Sequence, residues 1–109
     1  MNDENKNLYD NECFDNYMKG LTGDFYKILP IFEKEPETYK PYLESFLIEL
    51  KGTYSLIDRI NSDRNFMKLI STIQYLCENE CDKKIVKKEV FKCTSIVQKL
   101  MDKYCSGRM

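Results

Sequence analysis

The chain has 109 residues, 42% hydrophobic and 32% charged, with a formal net charge of −1 at neutral pH. That balance suits one globular domain with its own core and excludes a disordered or collagen-like polymer. Histidine is absent, which removes the usual neutral-pH acid/base, the commonest metal ligand and every Ser/His or Cys/His nucleophile pair.

Met1 to Asn7 is polar and reads as a disordered tail, so the domain is expected over 8–109. From Leu8 the pattern is weakly helical, with Phe14, Tyr17, Met18 and Leu21 on one side, and Gly20 and Gly23 predict a short first helix. A second segment, Phe25 to Glu33, clusters Phe25, Ile28, Leu29 and Phe32; Pro30 inside it predicts a kink or a break. Pro36 and Pro41 bracket a linker, and Pro41 suits the first turn of the next helix. Leu43, Phe46, Leu47, Leu50, Tyr54, Ile57 and Ile60 keep one helical phase, which predicts a helix over 41–60. Gly52 within it marks a bend or a close approach by a neighbouring helix.

Ser62 is the natural N-cap of the following helix, Asp63 to about Asn79, which aligns Phe66, Leu69, Ile70, Ile73, Leu76 and Cys77. After a short turn comes the longest uninterrupted pattern, Asp82 to Tyr104, with Asp82 as N-cap and Gly107 just beyond its end. Its seam is Val86, Val90, Cys93, Val97, Leu100 and Tyr104, widened by Ile85, Ile96 and Met101. No alternating apolar run, hairpin dipeptide or internal repeat is present. The expected fold is all-α, an antiparallel bundle of three longer helices covered by one or two short N-terminal helices.

Charge is unevenly spread. Lysine and arginine outnumber acids eight to two over 83–109, so the last helix is the basic pole of a mildly acidic protein. Lys84, Lys88, Lys92, Lys99 and Lys103 lie opposite its apolar seam. Such a face is the ordinary solvated side of an amphipathic helix, and it is also the minimum for contacts to phosphates or to an acidic protein. No Arg or Asn is placed on it to read bases, and no helix-turn-helix signature occurs.

Phe91 projects among these lysines, where a bundle helix should be polar, and Tyr75 is similarly misplaced on the preceding helix beside Arg64 and Lys68. Aromatics with basic neighbours serve as interface anchors. The alternative is that the N-terminal segment folds over Phe91. Cys77 and Cys81 are one helical turn apart, but the two-residue spacing of zinc sites is missing, and Cys77 and Cys93 lie on core stripes. Glu33, Glu35 and Glu37 read as a solvated linker without the pattern of a calcium loop, and Glu89 as a partner for a neighbouring lysine. No phosphate-binding glycine loop or dinucleotide fingerprint is present.

The five cysteines are odd in number, no secretory leader precedes them, and no apolar run approaches a membrane span. These features predict a cytoplasmic protein with free thiols, off the membrane. The absence of Ala, with abundant Lys, Asn and Ile, has the look of AT-rich coding in low-GC bacteria, phages and plasmids. The function expected is non-enzymatic: a protein–protein interaction module, without metal or cofactor, docking on another protein or on its own copy. Phe91, Tyr75, Lys84, Lys88 and Lys92 would carry the contact. Nucleic-acid binding through the basic helix is the alternative.

Overall fold

Helical segments account for almost all of the chain in the computed structural model, which describes residues 3–104 and the side chains of 14–104 apart from Arg59. In chain order they are α1 (Asp3–Tyr26), α2 (Ile28–Lys34), α3 (Pro36–Leu56), a 3-10 turn (Asp58–Ile60), α4 (Arg64–Glu78) and α5 (Lys83–Tyr104). No strand occurs among the described residues. Of the tail expected over 1–7, Met1 and Asn2 lie outside the described residues, as does Gly107.

The N-terminal region departs most from expectation. Instead of a short cover, α1 is a helix of 24 residues, comparable with α5 at 22. It buries Phe14, Met18, Leu21 and Phe25 at four-three-four spacing, and Ile28 continues the stripe into α2. Burying such side chains stabilises by about 1.5–3 kcal/mol each, which outweighs about 1 kcal/mol for each helical glycine. Gly20 and Gly23 therefore do not end the helix. The break falls at Lys27, within the segment 25–33 where Pro30 predicted a kink or a break. Pro30 has no N–H for the Tyr26 carbonyl, and its ring crowds that oxygen. The Ile31 amide still reaches the Lys27 carbonyl at 3.3 Å, so helical bonding resumes one residue later.

The third helix is shifted relative to expectation, with α3 covering Pro36–Leu56 rather than 41–60. Pro36 takes the first helical position and Pro41 is held inside the helix. The early start is rewarded by tertiary contacts: Tyr39 is buried edge-on against Phe32, with ring centroids 4.9 Å apart. At the other end Ile57 is extended, and the 3-10 turn drives Ile60 fully into the core. Asn61 Nδ2 donates to the carbonyls of Tyr54 and Ser55 at 3.2 and 3.4 Å, satisfying groups the helix end leaves open. Gly52 has no neighbour within 4 Å of where a Cβ would stand, so it marks no close helix approach.

The cap of α4 is Asp63, not Ser62. Its Oδ1 accepts from the amides of Asn65 and Phe66 at 2.8 and 3.2 Å. Asp82 caps α5 as expected, accepting from the Ile85 amide at 2.9 Å.

Contacts between helix ends give the packing order. Tyr54 stacks on Phe66 at one end of the α3–α4 pair, and Lys40 reaches the last carbonyls of α4 at the other. Asp63 at the start of α4 meets Lys103 and Tyr104 at the end of α5. Phe14 meets Tyr104 and Tyr26 meets Phe91, so α1 runs against α5. Tyr42 donates to the Asp24 carbonyl at 2.8 Å and Phe25 meets Phe46, so α1 also docks on α3. The result is an up-down bundle of four long helices, with α2 as the elbow between the first two. On α5 the buried residues are Val86, Val90, Cys93, Ile96, Val97 and Leu100, whereas Ile85, expected to widen the seam, remains exposed.

Candidate functional site

Phe91 lies on the flank of α5 that faces α1. Its ring is met edge-on by Tyr26, the last residue of α1, with centroids 6.0 Å apart. The covering that the sequence offered as an alternative is only partial: α1 reaches Phe91 without covering it, and Phe91 and Tyr26 stay 42% and 44% exposed. Two half-exposed rings in contact leave apolar area in water on one continuous patch, whereas the more exposed Ile48 and Leu56 on α3 make no ring contact among the described residues.

Lys87, one turn before Phe91, holds its ammonium 5.9 Å from the Phe91 ring centroid, in cation–π range. The same lysine lines a cleft of about 190 Å³ between α2 and α5, with Leu29, Phe32, Glu33 and Lys83. Lys87 thus joins the aromatic pair to the cleft in one continuous surface. Leu29 and Phe32 pack against the core and form its apolar floor. Glu33 and Lys83 form an ion pair across it, with both side chains substantially exposed. That pair holds the Glu33 carboxyl below the usual carboxylate range, chiefly through the Lys83 hydrogen bond. Glu33 is therefore not part of a purely solvated linker: the bend at Lys27 swings it onto the start of α5.

The remaining candidates are dispersed. Tyr75 is 46% exposed on α4, and no ring contact joins it to Phe91 among the described residues. On α5, Phe91 lies about 160° around the helix from Cys93 at 100° per residue, and Cys93 is the residue that meets Thr72 of α4, so Phe91 faces away from α4. The structure does not bring the two aromatics into one patch. Lys92 is tied to Glu89 at 2.8 Å, and this hydrogen bond raises the Lys92 pKa. Glu89 is thereby a lysine partner, as its position suggested. Lys84 and Lys88 are exposed, and no ion pair joins either one among the described residues.

The cysteines follow their stripes. Cys93 is fully buried, and burial pushes its thiol up to about 12, only partly offset by the Thr72 hydrogen bond. Burial also raises the Cys77 thiol, with nearby Lys40 lowering it and Glu44 raising it. Cys77, Cys81 and Cys93 are free thiols, and no group of three or more Cys, Asp or Glu among the described residues is placed to hold a metal ion. The side chains of Cys13 and Cys105 lie outside the described residues.

Tyr26, Leu29, Phe32, Glu33, Lys83 and Lys87 were not singled out as site residues in the sequence. Lys87 was within reach, because it stands four before Phe91 on one helix face. Lys83 shares α5 with Phe91, and Tyr26, Leu29, Phe32 and Glu33 join the site through the α1–α2 bend.

Fold and surface together give an all-α helical bundle that carries a half-open aromatic and basic seam where α1 and α2 meet α5. No helix among the described residues is long and apolar enough to cross a membrane. Compared with protein-family models, with curated proteins and with solved structures, the chain gives no significant match.

Proposed function

We propose that this protein is a non-enzymatic interaction module that docks on another protein through the seam where α1 and α2 meet α5. The observation that carries the reading is the Phe91–Tyr26 pair: two aromatic rings in contact, each more than two-fifths exposed, beside Lys87. Aromatic anchors with a basic rim are the usual makings of an interface hot spot. The compositional bias supports a role as an accessory or inhibitor protein of a phage, plasmid or other mobile element. A second copy of the chain is one form the partner could take.

Affinity capture from a low-GC bacterial host, with Phe91→Glu as the control, tests the reading. The expected result is a protein retained by the wild type and lost with the variant, while both melt alike. Equal retention by both would contradict it. Light scattering separates self-association from a foreign partner.

Nucleic-acid binding is kept as a second reading because Lys84 and Lys88 are exposed on α5 and no ion pair joins either one among the described residues. It requires retention of DNA or RNA at low salt that falls steeply as salt rises and disappears when Lys88 and Lys92 become Glu.

A further inference from the structure

The cleft beside Phe91 carries information about the chemistry of the partner. Its floor is apolar, Leu29 and Phe32, and its volume of about 190 Å³ is below the range of roughly 300–1,000 Å³ typical of cofactor and drug-sized ligands. It has room for one large side chain. Its rim is basic: Lys83 and Lys87 line it, and Lys84 follows on the same helix. The single acid in the lining, Glu33, is paired with Lys83 and feels the charge of Lys87 only at longer range, and no ion pair joins Lys87 among the described residues, where its ammonium faces the Phe91 ring.

We infer that the cleft receives an apolar side chain from an acidic segment of the partner protein, and that a carboxylate of that segment replaces Glu33 on Lys83. The inference rests on the docking surface proposed above and names its complement. Charge complementarity selects an acidic segment, and the apolar floor selects a peptide bearing a Phe or Leu anchor over a nucleic-acid backbone. Glu33 is the internal stand-in for the incoming acid. Because both members of its pair are exposed, exchange is inexpensive. Removal of Glu33 therefore frees a lysine for the partner.

The test uses the full chain and a short synthetic peptide carrying one Phe flanked by Glu and Asp. Two control peptides carry Lys in place of the acids, or Ala in place of the Phe. Amide NMR spectra are followed during titration. The acidic Phe peptide is expected to shift signals of 28–34 and 83–91 saturably, with binding that weakens as salt rises. Glu33→Gln is expected to tighten it by up to about fivefold, the range of one exposed ion pair.

Equal binding by the Lys isomer or the Ala peptide would overturn the inference. So would shifts mapping elsewhere, weaker binding by Glu33→Gln, or displacement of the peptide by a single-stranded oligonucleotide at equal concentration. If Phe91→Glu abolishes capture of the natural partner but the peptide leaves the cleft unperturbed, the docking surface stands and this assignment of its complement falls. If the peptide fills the cleft while Phe91→Glu still retains the partner, the docking surface falls, and the assignment of its complement falls with it.

Discussion

Both ends of α5 carry a lysine paired with a carboxylate from another part of the chain, and the two pairs are built differently. At the C-terminal end the Asp63 side chain is only 2% exposed and accepts four hydrogen bonds, from Asn65, Phe66, Lys103 and Tyr104. Burial alone pushes its carboxyl up. The Tyr104 hydroxyl, the Lys103 ammonium and the two amides outweigh that and hold it below the usual range. At the N-terminal end Glu33 and Lys83 face solvent over an open cleft. A carboxylate that caps one helix and ties down another holds the bundle shut, whereas an exposed pair contributes little to stability and can be exchanged.

The sharpest way to break this comparison is to remove each acid. Asp63→Ala is expected to cost about 2–4 kcal/mol, from a lost N-cap worth about 1 and charge-assisted hydrogen bonds worth about 1.5–3. Denaturant unfolding measures it, and a loss below 1 kcal/mol would erase the contrast between the two ends.

Acid provides a second approach. The unfolded chain binds a proton at Asp63 near pH 3.9, above the depressed pKa of the folded state, so this part of the stability is present above about pH 4 and fades as pH falls through the folded value. Wild type is expected to lose stability more steeply than Asp63→Asn below pH 4, as read by unfolding midpoints across a pH series.

Lys40→Met is expected to cost about 1–2 kcal/mol by thermal unfolding. Its ammonium donates to the Leu76, Cys77 and Asn79 carbonyls at 3.0, 2.6 and 3.4 Å, closing the end of α4 with a side chain from α3. Gly52→Ala is expected to stabilise by about 0.5–1 kcal/mol, because a helical glycine with open space around it gains only by acquiring a methyl. Smallest of all, Glu33→Gln should leave the unfolding midpoint where it was. A clear drop would show that the exposed pair is structural after all.

How much of this was legible in the sequence depended on where local pattern and tertiary contact agreed. The α4 and α5 registers were readable because their apolar stripes are unbroken, and at α5 the cap Asp82 was read as well, whereas at α4 the sequence named Ser62 where Asp63 caps. The length of α1 was not, since two glycines interrupt a stripe whose value appears only once Phe25 packs on Phe46. The start of α3 was hidden for a related reason: Pro41 reads as a first-turn proline, and only burial of Tyr39 and the reach of Lys40 justify beginning at Pro36. Phe91 stood out because it breaks a polar helix face. Its neighbour Tyr26 and the cleft residues Leu29, Phe32 and Glu33 belong to other helices, so periodicity along α5 could not name them. Tyr75 breaks a face in the same way, yet no ring contact joins it to another aromatic among the described residues.

That difference between two exposed aromatics also gives the most direct test of the central claim, that docking is confined to the α1–α2/α5 seam. Binding of the captured partner is measured side by side for the wild type, Phe91→Glu and Tyr75→Glu, with each variant's melting checked. The account predicts that Phe91→Glu abolishes binding while Tyr75→Glu binds as the wild type does. Loss with Tyr75→Glu and retention with Phe91→Glu would contradict it.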